Sequence, residues 1–390
     1  LSINNFSLND KIISNLYIQS KYLRNNCEWH LMGNHLLLNF KALIFAGIFF
    51  KTKESLKWFF YGIKHFDRQI KEQILDDGAH FELSPMYHAF IIEDILDVIN
   101  LIDNTDYRLL YDTKYLKKTF HLMINWLNNM THKDEEISYF NDSVFNESPK
   151  LKDLIIYAEK LGLKNQLNNF AHKDFVNLSD SGYFVINRKD TKFIADIADI
   201  KANYIPGHSH ADTLSYELSI KKERLIVNLG VSTYENNLKR LLQRGTSSHN
   251  TVTINDENSS QIWSSFRVAK RSKIIKKTIK SQDNNILISA SHDGYSRLFN
   301  KIIHERNWEI GHNYITVNDV INGKFTNAFS SIHIMPKWKL KELVPKLKYM
   351  LEFNNSIKAC IEIIQGQPKL TKNLFCYSFD NEQKADGIRI

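Results

Sequence analysis

The 390-residue sequence is poor in cysteine, and this limits the chemistry that it can support. Cys27, Cys360 and Cys376 are scattered and form no Cys-x-x-Cys pair, which argues against a disulfide framework and against a cysteine zinc site. The number of cysteines does not decide between a reducing and an oxidising compartment for the protein. A glycine-rich phosphate loop is also absent, and so is the Gly-x-Ser-x-Gly pattern of a nucleophile elbow. Ser247, although close to His249, is therefore not expected to be a hydrolytic nucleophile.

Long apolar runs are missing as well. The most apolar stretch lies within residues 36–50 and is interrupted by Asn39 and Lys41, which makes it too short and too polar to cross a bilayer. No basic-then-apolar leader opens the sequence. We expect no membrane span, and a cytoplasmic protein unless an upstream leader directs it to the periplasm or outside the cell.

The charge is unevenly distributed. Residues 1–175 contain 20 Lys and Arg against 22 Asp and Glu, whereas the remainder contains 31 against 21, a net charge of +10. Residues 258–282 contain no acidic side chain and seven basic ones. This pattern favours an anionic partner, and the alternative is a solvated edge strand protected by lysines. Nucleic acid is not expected, because Trp263 and Phe266 are too few aromatics for a stacking platform and no base-reading motif is present.

The periodicity of apolar residues changes once along the chain. Helical spacing predicts helices within 36–50 and near 54–75, 85–103, 114–130 and 150–168, paired as in a bundle or an α/α toroid. From Ser181 onwards the period is two, and short strands are predicted at 183–187, 193–200, 213–220, 224–229, 250–255, 286–291 and 313–321. The sequence therefore predicts an α+β protein of two domains, residues 1–175 and 176–390, the second a β-sandwich or a stack of antiparallel sheets.

Two polar motifs fall on predicted helices. Asn34 and His35 lie on an opening turn, either as a cap with a core histidine or as a functional pair. Ser84 as N-cap and Pro85 at the first helical position place Tyr87 in the first turn. The helix dipole would lower the pKa of Tyr87 there, which makes it a conceivable base, and a tyrosine that merely packs is the alternative.

Two further polar motifs lie in the second part. His208, His210 and Asp212, at a spacing of two, are predicted to project from one side of an extended segment. They are either a functional site or a hydrogen-bonded polar corner. Residues 244–251 form a polar turn that leads into a strand.

Five segments in this order resemble the motifs of the heparinase II/III-like polysaccharide lyases. In the first part they are Trp29-His30-x-x-Gly33-Asn34-His35 with Ala42-Leu43-x-x-Ala46-Gly47, and Asp77-Gly78 leading to Tyr87-His88. In the second part they are Gly207-His208-Ser209-His210-Ala211-Asp212-x-x-Ser215, Leu225-Ile226-Val227-Asn228-x-Gly230-x-x-Thr233-Tyr234, and Arg244-Gly245-Thr246-x-x-His249-Asn250-Thr251. The resemblance covers roughly residues 25–330 and implies an α/α toroid followed by an antiparallel β-sandwich.

The resemblance implies β-elimination at a uronic acid. Asn34 and His35 match the pair that neutralises the substrate carboxylate, with a contribution from His208. Tyr87 matches the residue that removes the C5 proton, protonates the departing O4, or does both. The side chains expected to contact the anionic polysaccharide are His88, Tyr234 and Arg244.

Two departures from the family pattern concern metal and length. Family members often hold a structural zinc through a histidine, an aspartate and a histidine, whereas the matching residues here are His210, Asn228 and His249. An amide is a poor zinc ligand, so one structural zinc is expected only if Asp212 compensates, and no other cofactor is expected. The helical part is also shorter than the family's toroid, which predicts an incomplete or compact one.

The leading hypothesis is a lyase acting on a uronate-containing polysaccharide, including the glycosaminoglycan, alginate-like and bacterial surface types. A hydrolase acting on a surface glycan such as a capsule or O-antigen is one alternative. A catalytically silent glycan-binding protein of the same fold is another. The oligomeric state stays open.

Overall fold

The protein consists of a helical part followed by antiparallel sheets, in a computed structural model that describes residues 9–163, 174–282, 285–298 and 301–390. The helices are α1 (Asp10–Asn25), α2 (Gly33–Phe50), α3 (Lys53–Gln73), α4 (Pro85–Asp103), α5 (Lys114–Met130), α6 (Leu151–Lys160) and, among the strands, α7 (Leu238–Arg244).

The strands fall into five antiparallel sheets in the described residues. The first sheet contains β1 (Phe175–Leu178), β2 (Tyr183–Arg188), β3 (Thr191–Asp196), β4 (Tyr216–Ile220) and β5 (Glu223–Ile226) in that order. A two-stranded hairpin is formed by β7 (Ile262–Ser264) and β8 (Arg267–Val268). A four-stranded sheet contains β9 (Ile274–Gln282), β10 (Asn285–His292), β11 (Ile303–Ile310) and β12 (Ile315–Asn322). A second one contains β6 (Val252–Ile254), β13 (Ala328–His333), β17 (Lys369–Ser378) and β18 (Asn381–Arg389), and the last contains β14 (Lys339–Val344), β15 (Lys348–Phe353) and β16 (Ile357–Glu362).

The predicted helices and strands are confirmed to within a few residues at most ends. Residues 164–168 of the last predicted helix lie outside the described residues. Helix α1 was not predicted, and it contains no fully buried residue, so it lacks the strong apolar face on which periodicity depends. The change from helix to strand falls between Lys160 and Phe175, and the boundary at residue 176 stays a prediction.

Helix α2 is the central helix of the helical core. Its length and composition would also allow it to cross a membrane. In this fold, however, ten of its residues are buried, and it packs against α1, α3 and α4. A Cβ at Gly47 would lie 2.6 Å from Cβ of Phe59, so glycine permits the close approach of α2 and α3.

One predicted strand is wrong at its start. The segment 207–215 consists of turns, and β4 begins at Tyr216, after Leu214 with φ of +64°. The reason is where the backbone hydrogen bonds go. The carbonyl of His208 accepts from the N–H of Asp142, and the N–H of His210 donates to Oδ1 of Asn141. These partners replace the neighbouring strand that an extended segment would need.

Candidate active site

Tyr87 is positioned by the start of α4, as predicted. Oγ of Ser84 accepts from the N–H of Tyr87 at 3.2 Å, and Pro85 occupies the first position of the helix. The same Oγ donates to the carbonyl of Asp142 at 2.6 Å. The helix start is thereby fixed to the loop that follows α5.

Tyr87 lies in an aromatic cluster that joins the helical part to the β part. Its ring is 3.8 Å, centroid to centroid, from the ring of His208, and its hydroxyl donates to the hydroxyl oxygen of Tyr234 at 3.3 Å. The ring of Phe266, at the turn of the β7–β8 hairpin, lies 5.9 Å from His208 and 5.4 Å from Tyr234. Three residues from separate motifs of the sequence are thus brought together.

A buried carboxylate that the sequence did not reveal holds this cluster. Oδ2 of Asp142 lies 2.8 Å from Nδ1 of His208, and Oδ1 lies 2.8 Å from Nε2 of His210. Arg240 donates to both oxygens from its two terminal nitrogens. Four charge-assisted hydrogen bonds to one carboxylate hold the pKa of Asp142 well below its usual range, chiefly through Arg240, despite complete burial.

This arrangement decides the tautomer of His208. Because Asp142 is ionised, it accepts the Nδ1 proton of His208, and Nε2 of a neutral His208 ring carries a lone pair. The side chain is 11% exposed, so Nε2 is a base held in a nearly dry environment. A histidine oriented by a carboxylate is a common arrangement for proton transfer.

The predicted pKa of Tyr87 is wrong in direction. Burial raises the pKa of the Tyr87 hydroxyl, and the charge of Asp142 raises it further. The helix dipole acts locally and is outweighed by the loss of solvent around the phenol. Tyr87 is therefore neutral in this state and can donate a proton.

The structure does not bring every predicted residue to the cluster. The side chain of His35 is 48% exposed on α2, with Nδ1 3.5 Å from Oε2 of Glu28. His88 is buried, receives the N–H of His80 on Nδ1, and contacts the carbonyl of Met123 through Nε2. Both nitrogens of His88 are thus used inside the helical core.

Arg244 and Asn34 occupy different environments. Arg244 is fully buried, and its guanidinium donates to the carbonyls of Ser209, Ser264 and Ser265. It shapes the walls of the site and is not presented to a ligand. Asn34 is half-buried in the first turn of α2.

The predicted zinc ligands are partly assembled. Nδ1 of His210 lies 3.2 Å from Nε2 of His249, close to the separation of about 3.3 Å that two imidazoles on one tetrahedral zinc would have. Burial lowers the pKa of both rings, so both are neutral as ligands require. Oδ1 of Asn228, however, accepts from the N–H of Asn250 at 3.2 Å.

The donor set stops short of a zinc site. In residues 9–163, 174–282, 285–298 and 301–390, no group of three or more His, Cys, Asp or Glu side chains is arranged to hold a metal ion. His210 and His249 would hold zinc if it is bound, whereas Asn228 supplies no charged ligand. Zinc stays a prediction.

Helices followed by antiparallel sheets, with a tyrosine–histidine site between them, define a two-domain protein of the α/α toroid plus β-sandwich class. The structure superposes on the crystal structure of heparinase III with a TM-score of 0.80, at 18% identity, over 97% of this chain and 62% of that one. It superposes on the heparan sulfate lyase HepC from Pedobacter heparinus with a TM-score of 0.74, at 19% identity, over 97% and 60%. These likenesses confirm the fold class.

The sequence places the chain more narrowly. Two protein-family models match the chain. The family model described as Heparinase II/III N-terminus matches residues 6–163, and the family model described as Heparinase II/III-like, C-terminal matches residues 171–388. The chain therefore belongs to the heparinase II/III-like family. It is 26% identical to a heparin-sulfate lyase of Bacteroides stercoris over 82% of this chain and 48% of that protein. It is also 26% identical to one of Pedobacter heparinus, over 64% and 40%, so it spans about half the length of these relatives or less.

Asp142→Asn is expected to lower the free energy of unfolding by about 3–5 kcal/mol, because it leaves the buried Arg240 without its counter-charge. Urea denaturation would measure this. Asp112→Asn is the control, since its ion pair with Lys114 is exposed and is expected to matter by less than about 1 kcal/mol. Similar effects of the two substitutions would contradict the role assigned to Asp142.

Asn228→Asp is expected to strengthen zinc binding, because it adds a carboxylate to a predicted ligand set whose other two members, His210 and His249, are neutral imidazoles. Zinc should be measured by metal analysis of both purified proteins after exposure to excess zinc and desalting. Equal zinc content in the two proteins would show that residue 228 does not control the site.

Proposed function

We propose that this chain is a polysaccharide lyase that cleaves a uronate-containing anionic polysaccharide by β-elimination. The observation that supports it best is the pairing of Tyr87 with His208. One is a partly buried, neutral phenol, and the other is an imidazole whose lone pair is oriented by a buried carboxylate. A binding protein needs neither an acid nor a base.

In this mechanism His208 removes the C5 proton. Nε2 takes the proton while Nδ1–H stays bonded to Asp142, whose negative charge stabilises the imidazolium that forms. The electron pair from the broken C5–H bond passes to the carboxyl-stabilised intermediate. Preorganised donors around that intermediate supply much of the catalysis.

Tyr87 is the general acid. As the C4–O4 bond breaks and the C4–C5 double bond forms, O4 receives the proton of the Tyr87 hydroxyl. The raised pKa of Tyr87 suits this role, because the proton is present before the reaction and the leaving oxygen is a strong base. The proton held by His208 then restores Tyr87, so the step is balanced without a co-reactant.

The substrate is expected to be a polyanion. The relatives are named heparin-sulfate lyases, and a strip of exposed basic residues begins beside Phe266. Its members in the described residues are Arg267, Lys270, Lys273, Lys276, Lys277 and Lys280. A heparan-sulfate-like glycosaminoglycan fits this surface, since its carboxylates and sulfates would meet positive charge along the chain.

Tyr87→Phe should lower the formation of unsaturated product by about 10²- to 10⁴-fold, the usual contribution of a general acid, while leaving polysaccharide binding nearly unchanged. The measurement is the ultraviolet absorbance of unsaturated uronate during incubation with a panel of glycosaminoglycans, alginate and bacterial capsules. Tyr314→Phe is the control, because Tyr314 is exposed and its hydroxyl contacts Glu309.

Preserved turnover in Tyr87→Phe would remove Tyr87 as the acid. Release of reducing ends without unsaturated product would favour the hydrolase. Binding without either product would favour the silent glycan-binding protein.

The double substitution Arg267→Gln and Lys270→Gln should weaken polysaccharide binding and make it less sensitive to ionic strength. The reason is that it removes two exposed positive charges beside the site, and salt screens the attraction of such charges for a polyanion. Titrations at low and high salt would measure this. Lys341→Gln with Lys358→Gln is the matched control, two exposed lysines on the sheet of β14–β16. Equal losses in the two double variants would exclude the basic strip as a specific contact.

A further inference from the structure

Glu82 is a buried carboxyl group that the mechanism above does not use. It lies in the turn before α4, and its side chain is 1% exposed. Within the described residues neither of its oxygens has a hydrogen-bond partner. A buried carboxyl group without partners is costly, which makes it a candidate for a functional role.

Two imidazole nitrogens face this carboxyl group. Oε2 of Glu82 lies 4.0 Å from Nε2 of His208 and 3.9 Å from Nδ1 of His80. In the neutral ring that a base at His208 requires, Nε2 carries the lone pair, because Nδ1–H is bonded to Asp142. Both facing nitrogens must be assigned before the charge of Glu82 can be inferred.

His80 also presents a lone pair to Glu82. Nε2 of Gln73 donates to the carbonyl of Gly33 and to Oε1 of Gln69, so Oε1 of Gln73 is left as an acceptor. It accepts Nε2–H of His80 at 2.9 Å, and burial lowers the pKa of His80 well below its usual value. Nδ1 of the neutral His80 therefore has no proton.

Glu82 thus faces two acceptors and no donor, an environment that favours its protonated form. An ionised carboxylate would point at two lone pairs, whereas a carboxylic acid can donate to either. Burial raises the pKa of Glu82, and the charge of Asp142 raises it further, whereas a positive charge on His208 would lower it and the neutral base carries none. At 3.9–4.0 Å neither imidazole holds the proton in a hydrogen bond.

Glu82 also adjoins the first turn of α2. A Cβ at Gly33, where φ is +55°, would lie 3.1 Å from Oε1 of Glu82 and 3.2 Å from Cδ1 of Ile205. The next residue is Asn34, half-buried, and the N-cap residue of the helix, Met32, makes no side-chain cap hydrogen bond. The carboxyl group of Glu82 therefore lies between the uncapped start of α2 and the base His208.

We propose that Glu82 is a proton donor that recognises the carboxylate of the bound uronate, between Asn34 and Nε2 of His208. The inference rests on the proposed function for the identity of the substrate group. Its O–H donates to the substrate carboxylate, and a proton shared between two carboxyl groups reduces the charge that opposes removal of the C5 proton. This role replaces the one expected of His35, which is turned towards Glu28.

The test compares binding of heparan sulfate with binding of carboxyl-reduced heparan sulfate, which keeps its sulfates. The wild type should prefer the native polymer by about tenfold, the size of one charge-assisted hydrogen bond. Glu82→Gln keeps a donor and should keep the preference. Glu82→Leu removes the donor and should lose the preference for the native polymer. Thermal melting checks that this variant is folded.

The pH dependence separates this role from a structural one. As the pH rises through the pKa of Glu82, the wild type should lose its preference for the native polymer, because an ionised Glu82 repels the substrate carboxylate. Glu82→Gln should not show that loss. The other titratable groups near Glu82 are present in both proteins and cancel in the comparison; they are His80, Tyr87, Asp142, Tyr204 and His208.

The outcomes also separate this inference from the proposed function. Equal binding of the two polymers by the wild type, binding of neither, or an unchanged preference in a folded Glu82→Leu variant would overturn the role of Glu82. Binding that follows the expected pattern without unsaturated product would support Glu82 and overturn the lyase.

Discussion

The site depends on the ion pair between Asp142 and Arg240, because the two domains meet at Asp142. Its side chain binds His208 and His210 of the β part, and its carbonyl accepts from Ser84, which begins the helix that carries Tyr87. The acid and the base of the proposed reaction are therefore placed by the same residue. A buried pair of this kind contributes little to net stability, but it fixes geometry because breaking it leaves an unpaired charge.

The two arginines of α7 extend this constraint to the wall of the site. Arg240 and Arg244 donate to backbone carbonyls at the turn of the β7–β8 hairpin, including that of Ser265. Phe266, the next residue, then packs its edge against His208. An aromatic wall keeps the local dielectric low, which strengthens the field of Asp142 at His208 and accounts for the raised pKa of Tyr87. The basic residues beyond the hairpin would meet the rest of a polyanion.

The fold could be predicted from the sequence because its signals are local. Periodicity marked five of the seven α-helices and seven of the eighteen strands in the described residues, and Ser84 with Pro85 gave the start of α4. The centre of the site could not be predicted, because Asp142 lies 66 and 98 residues from His208 and Arg240 and nothing in its own loop distinguishes it. Likewise, desolvation decides the pKa of Tyr87 and is a property of the packed structure.

Two carboxyl groups approach His208 from different sides, and their surroundings give them opposite charges. Asp142 meets four donated hydrogens and stays ionised, whereas Glu82 meets two imidazole lone pairs and keeps its proton. Ionisable groups with pKa values pushed apart by their environments are typical of acid–base sites. Asp142 supplies a fixed negative charge to a forming imidazolium, and Glu82 avoids adding a second negative charge where the substrate carboxylate would bind. An ionised residue at position 82 would repel that carboxylate, so a neutral acid suits both the base and the substrate.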